Sequence, residues 1–197
     1  LLLLDSGAQY FDGTTDITRT IPLGNISPQM SDDFTLVLKA HINLSSAIFP
    51  EKITGARLDT LARIPLWREG KNYDHGTGHG VGQFMSVHEA IDLHQFRMQW
   101  RPTPLLPGMI ITDEPGIYIE GSHGVRHENT MLVVNASFLD KDGKALDNAS
   151  DKCEADEACG LTFGPYYTFE HLTLCPVLTD AIIVDMLTDD EKSWFNK

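Results

Sequence analysis

Between His75 and Glu89 the chain reads His75-Gly-Thr-Gly-His79-Gly-Val-Gly-Gln-Phe-Met-Ser-Val-His88-Glu89, and this run constrains it more than any other. Three imidazoles fall within fourteen residues, and four glycines let the backbone turn tightly around them. A histidine ring can ligate a transition metal, relay a proton near neutral pH or grip a carbonyl oxygen. Alone, such a run reads equally well as a glycine-rich loop with solvated histidines. Its company tips the balance, because Asp5, Asp16, Glu114 and Glu128 each lie in or beside a strand-like run.

Length and charge narrow the classes. A chain of 197 residues can bury one sizeable core, with at most a small appendage. The net charge of −13 argues against a nucleic-acid partner or an anionic membrane. Most of it reads as solvated surface, and some would be neutralised wherever carboxylates hold divalent cations. Leu1 to Leu4 is too short for a membrane span or a signal-peptide core, and reads as a buried strand in a piece of a longer protein. Cys153, Cys159 and Cys175 make an odd count without zinc-site spacing, which fits a reducing, cytoplasmic setting. A local disulfide between Cys153 and Cys159 would instead suit a secreted protein.

Taken in order, Leu1 to Gln9 and Thr14 to Leu23 read as two strands joined by a turn at Asp12-Gly13. This hairpin can bring Asp5 and Asp16 onto one face, where Asp16 alternates with Thr18 and Thr20 to make a polar surface. After Gly24 the period lengthens. Ser27-Pro28 opens a helix whose apolar face runs through Phe34, Val37, Leu38, His41, Leu44, Ser45 and Ile48 to a stop at Pro50, with His41 a helix-face residue and not a ligand. A second helix runs from Thr54 or Gly55 toward Trp67, with a kink or early end expected at Pro65 and closure at Gly70.

Beyond the histidine run, a proline-rich loop at 101–108 leads to a short strand from Met109 to Glu114 and another from Arg126 to Val134. A hairpin-like return would bring Glu114 and Glu128 together, as the first hairpin does for the aspartates, so the two halves are loosely similar. The segment 136–166 turns acidic and polar and reads as a surface insertion. Thr168 to Val177 reads as a strand, and Thr188-Asp-Asp-Glu191 is a capping box that opens a terminal helix carrying Trp194 and Phe195. Two aromatics on so short a helix need a surface to dock on.

Four carboxylates brought together repel one another, and some must take up protons unless cations neutralise them. Two dications match the count, and a hydroxide from a bridging water would leave a net charge of about minus one, attractive to a peptide N-terminus. Oxygen ligands with a single imidazole suit manganese, cobalt, iron or zinc. The residue types therefore point to metal-assisted hydrolysis.

The runs Asp5-Ser-Gly-Ala-Gln-Tyr-Phe-Asp-Gly-Thr-Thr-Asp16-Ile-Thr-Arg-Thr20, His75-Gly-Thr-Gly-His79-Gly-Val-Gly, Thr112-Asp-Glu114-Pro-Gly-Ile-Tyr118 and Arg126-His-Glu128-Asn resemble those of the pita-bread metallopeptidases, and within them the long eukaryotic cytosolic Xaa-Pro aminopeptidases. The resemblance implies an α+β fold, with helices packed on the outer face of a curved antiparallel sheet that has internal pseudo-twofold symmetry. It implies a catalytic domain over 1–135, the insertion 136–166 and a C-terminal extension over 167–197 docked on the catalytic domain. It makes Asp5, Asp16, His79, Glu114 and Glu128 the ligands of two divalent ions, manganese by preference. Glu114 would also take the proton of the attacking water, His88 would hydrogen-bond the scissile carbonyl, and His75 would line the proline pocket, with Tyr118 and Arg126 flanking the substrate. The implied partners are peptides with proline in second position, with room for a homodimer. A prolidase, limited to Xaa-Pro dipeptides, and a non-catalytic peptide-binding module are the alternatives.

Overall fold

The computed structural model describes residues 1–93, 103–136, 138–139, 145–146 and 165–196. Cys153, Cys159 and most of the acidic segment lie outside the described residues, and the disulfide expectation lies there with them. In chain order the elements are β1 (Leu2–Tyr10), β2 (Gly13–Ile21), α1 (Pro28–Ser45), β3 (Phe49–Pro50), α2 (Gly55–Arg68), β4 (Gly78–Gly80), β5 (Glu89–Leu93) and β6 (Ile110–Asp113). There follow β7 (Gly116–Ile119), β8 (His123–Arg126), β9 (Asn129–Asn135), β10 (Phe138–Leu139), β11 (Ala145–Leu146), β12 (Tyr166–His171) and α3 (Asp189–Phe195).

Six antiparallel strands form the main sheet in the order β3-β12-β9-β6-β4-β5, while β1–β2, β7–β8 and β10–β11 pair as two-stranded ribbons. Helices α1 and α2 cover the sheet, and Leu44, Leu58, Ile111, Met131 and Phe169 meet in the core between them. A second cluster, with Phe34, Val37, Leu66, Ile117 and Val125, lies where α1 passes under β7 and β8. The fold class is α+β, as the family resemblance implies.

Helix α1 begins where the sequence marks it, with the Ser27 hydroxyl accepting the Met30 N–H at 3.3 Å and Pro28 in the first turn. Phe34, Val37, Leu38, His41 and Leu44 are all buried, but the helix stops at Ser45, so Ile48 lies beyond it, 54% exposed. Helix α2 runs through Pro65 to Arg68, so of the two outcomes expected at Pro65 the early end does not occur. Proline has no N–H for the Leu61 carbonyl four residues back. Asn43 Nδ2 of α1 donates to that carbonyl instead, at 2.6 Å, so the missing bond is replaced from the neighbouring helix.

Four expectations about the strands need correction. The turn of the first hairpin sits at Phe11-Asp12, one residue early, because Tyr10 pairs with Gly13. Leu2 and Leu4 are 43% and 50% exposed, since β1 pairs only with β2 and both leucines project from the face opposite Leu3 and Asp5. The strand expected from Arg126 to Val134 is two strands that break at His127 and Glu128: β8 pairs back onto β7, and β9 joins β6 and β12. The final strand is Tyr166–His171 rather than 168–177, and it belongs to the main sheet.

The terminal helix docks. Its capping box is complete, Glu191 takes Lys39 Nζ at 2.6 Å, and Trp194 stands edge-on to His41 and His171 at 5.8 and 5.1 Å between ring centroids. Upstream, the Ile183 N–H donates to Thr35 Oγ1 at 2.9 Å.

Candidate metal centre

The β1–β2 register sets Asp5 opposite Thr18 and Gly7 opposite Asp16, so both aspartates share one face of the ribbon. The Thr18 carbonyl accepts the Glu128 N–H at 3.1 Å, which carries this face to the start of β9. In the main sheet Asp113 pairs with Asn129, so Glu114 and Glu128 leave neighbouring strand ends together. His79 is the middle residue of β4. Its neighbour Gly78 has no room for a side chain, since a Cβ there would lie 1.9 Å from the Thr112 carbonyl oxygen.

These elements bring Asp16, His79 and Glu128 together, with one ligand atom of each within 4.8 Å of the others. His79 Nε2 lies 3.5 Å from Asp16 Oδ2 and 3.3 Å from Glu114 Oε1. The other ring nitrogen, Nδ1, is 3.0 Å from the Gly80 carbonyl, an arrangement that leaves Nε2 as the lone pair facing the carboxylates. Glu128 Oε2 accepts from Thr18 Oγ1 at 2.6 Å, and Thr112 Oγ1 donates to Glu114 Oε1 at 3.4 Å. Asp5 stands apart, its side chain 52% exposed and its carboxylate held by Arg126 Nη2.

The remaining expected site residues surround this cluster. Arg126 also donates from Nε to Thr18 Oγ1 at 3.2 Å and from Nη1 to the Tyr118 hydroxyl at 2.9 Å, and its Nε lies 3.9 Å from Glu114. Tyr118 OH is 2.8 Å from His75 Nε2. The exposed His88 ring meets the His79 ring edge-on at 4.3 Å between centroids.

Burial makes the cluster electrostatically costly. It raises Glu114 to about 7, against the opposing pull of Arg126, and raises Glu128 to about 8 with the added repulsion of Glu114. Burial also raises Asp16 and lowers His79. Several buried carboxylates in excess of the guanidinium charge beside them, and an imidazole held neutral with one nitrogen turned inward, fit the donor set of divalent cations.

Several participants are not evident from motifs. Arg19 is buried and donates from Nη1 to the carbonyls of Thr18 and Glu128 at 2.9 and 2.6 Å and from Nη2 to Asn129 Oδ1 at 2.8 Å, so it fixes the Glu128 backbone from behind. No spacing rule marks such an arginine. Behind Glu114, the fully buried Asp113 lies 3.2 Å from His41 without hydrogen-bond geometry. Burial pushes Asp113 well up and His41 down to about 3. No helix among the described residues is long and apolar enough to cross a membrane.

Comparison with known proteins finds similarity to aminopeptidases and prolidases. Aminopeptidase P1 of Lotus japonicus is 44% identical over 196 residues, covering 100% of this chain and 27% of the relative, and Aminopeptidase P1 of Arabidopsis thaliana is likewise 44% identical, with 100% and 27% covered. The chain thus spans about a quarter of the length of these curated relatives. The crystal structure of the X-prolyl aminopeptidase from Caenorhabditis elegans, described as a cytosolic enzyme with a di-nuclear active site, superposes with a TM-score of 0.80 at 38% identity, over 98% of this chain and 28% of that one. Prolidase from Pyrococcus furiosus gives a TM-score of 0.59 at 36% identity, over 66% and 37%. The α+β arrangement is the pita-bread fold of these structures. Residues 1–135 match Metallopeptidase family M24 and residues 165–197 match the C-terminal region of peptidase M24, and by those two matches the chain belongs to metallopeptidase family M24.

Proposed function

We propose that this chain carries the active site of a metal-dependent aminopeptidase that removes an N-terminal residue standing before proline. The observation that carries the proposal is the convergence of Asp16, His79 and Glu128, with Glu114 against His79, in a member of a metallopeptidase family. Asp5, Asp16, His79, Glu114 and Glu128 would hold two divalent ions, for which manganese suits the oxygen-rich donor set. When bound, such ions lower the pKa of water and polarise the scissile carbonyl.

The chain's own residues do the rest. Glu114, raised by burial toward neutrality, is suited to accept the proton of the attacking water and to return it to the leaving amine. His88 stands on the solvent side of His79 and donates to the carbonyl oxygen as charge develops there. His75, Tyr118 and Arg126 form one hydrogen-bonded wall beside Glu114, and His75 receives the proline ring. A bond to proline is a tertiary amide with no N–H, so a pocket that grips the ring, rather than an amide hydrogen, selects it.

The division into a catalytic domain over 1–135, an acidic insertion over 136–166 and a C-terminal extension over 167–197 belongs to the same proposal, supported by two family matches that leave 136–164 between them. A cytosolic setting is supported by the description of the nematode relative. The prolidase alternative rests on a structure that covers 66% of this chain, and the nematode aminopeptidase covers 98%.

The test is turnover of Arg-Pro-Pro, Arg-Ala-Pro and the dipeptide Arg-Pro by protein whose ion content is measured by elemental analysis. Two ions per chain, rapid loss of arginine from Arg-Pro-Pro and slow cleavage of Arg-Ala-Pro are expected. Equal rates on the two tripeptides would remove the proline specificity, and activity confined to the dipeptide would make the protein a prolidase.

A further inference from the structure

Arg63 on α2 is fully buried, and its guanidinium faces the 72–77 loop instead of solvent. Its Nε donates to Asp59 Oδ2 at 2.7 Å, Nη1 to the Tyr73 carbonyl at 2.6 Å and to Asn72 Oδ1 at 3.0 Å, and Nη2 to the His75 carbonyl at 2.8 Å. The guanidinium carbon lies 4.0 Å from the centroid of the Tyr73 ring. Asp59 Oδ1 accepts from the Thr77 hydroxyl, which in turn accepts from the Tyr73 hydroxyl. One buried ion pair on a helix thereby fixes four positions of the loop that leads into the histidine run.

The far side of this loop meets the candidate site. The His75 ring reaches Tyr118, itself bound to Arg126, and the Thr77 carbonyl accepts the Glu114 N–H at 2.7 Å. A buried ion pair is a poor way to gain stability, because desolvation offsets most of the attraction. What a planar guanidinium adds is direction: its donors form a rigid fork, and here the fork sets where the His75 backbone lies.

We propose that Arg63, braced by Asp59, is a positioning residue that sets the His75 side of the substrate pocket and thereby the selectivity for proline after the scissile bond. The role assigned to His75 under Proposed function is its premise. Arg63 touches neither substrate nor ions in this scheme. It acts through the carbonyls of Tyr73 and His75.

Arg63→Lys keeps the charge and loses the fork. In metal-loaded protein with 15N-labelled histidine, the His75 ring resonances should move toward those of a solvated imidazole, while the His79 resonances and the ion content stay as in the parent. For Xaa-Pro-Yaa peptides KM should rise about tenfold, with kcat held within about threefold. Adding Arg63→Lys to His75→Ala should cost nothing beyond His75→Ala alone, because both act through one ring. Asn72→Ala, at the exposed end of the fork, should shift the same quantities less, and it carries the test if Arg63→Lys does not fold. Unchanged His75 resonances would overturn the proposal, as would losses that multiply in the double variant or a fall in kcat at constant KM. Because the resonances are read without substrate, a parent protein that fails to turn over proline peptides would count against the proposed function alone.

Discussion

Two clusters of buried charge lie on either side of the 72–77 loop, and they are built on opposite principles. Asp59 and Arg63 neutralise each other inside the protein, and the Tyr73 and His75 carbonyls and the Thr77 hydroxyl bond to one or the other. Asp16, Glu114 and Glu128 crowd around His79 with Arg126 as the nearby guanidinium, and Arg126 is committed first to Asp5 and Tyr118. The first cluster is complete as it stands. The second is costly by itself, which is why burial pushes Glu114 and Glu128 up to about 7 and 8. Charge compensated within the chain holds geometry, whereas charge left uncompensated marks where external cations belong.

That contrast is most severely tested at Glu114. Glu114→Gln should lower kcat on Xaa-Pro-Yaa by roughly 10²–10⁴-fold, the range lost with a general base. A kcat within a few-fold of the parent in steady-state assays would take the proton-transfer role away from Glu114.

Next in size is Asp59→Ala, which strands a buried guanidinium and should cost about 3–5 kcal/mol in denaturant unfolding. Glu128→Gln should behave in the opposite way: above pH 8 the ion-free protein should melt no lower than the parent, because a buried negative charge has been removed, yet most of the stabilisation by ions should vanish. The comparison breaks if both variants destabilise the ion-free protein alike.

Ions at a hundredfold above Kd add roughly 2.7 kcal/mol per site, so chelation should lower Tm by on the order of 5–10 °C for each site emptied in a domain of this size. In the ion-free protein the native state holds protons on Glu114 and Glu128 that the unfolded chain, with an ordinary glutamate value of 4.5, has already lost. Lowering the pH from above 8 through 7 should therefore stabilise the ion-free form, with the gain complete near 4.5. Ion binding needs the ionised carboxylates, so the gap between melts with and without chelator should narrow over the same window. Melts that ignore both chelator and pH, in protein shown beforehand to contain ions, would mean the carboxylates are not coupled as the geometry indicates.

The smallest effect concerns neither cluster directly. Thr188→Ala removes one half of the α3 capping box and should cost about 1 kcal/mol. Trp194 covers His41 and His171 on the far side of Asp113, so the variant should raise amide exchange in α3 and leave ion content untouched. Loss of ions on this substitution would show that the two clusters are coupled through the tail.

Local signals carried much of this molecule. Ser27-Pro28, the capping box at Thr188 and the alternation of Asp16, Thr18 and Thr20 each specify structure within a few residues, so they could be read directly. The four motif runs likewise mark Asp5, Asp16, His79, Glu114 and Glu128 as candidates. Tertiary structure decided what local rules cannot carry. Pro65 stays helical because Asn43, on another helix, takes the carbonyl that proline leaves unpaired. Arg126 to Val134 splits into two strands because β7 and β6 compete for its two ends. Asp5 pairs with Arg126, 121 residues away, while its charge still raises Asp16 and Glu128. Asp59 and Arg63, four apart on α2, look from sequence like an ordinary surface helix pair. Burial turns them into a clamp, and burial depends on every element packed above them.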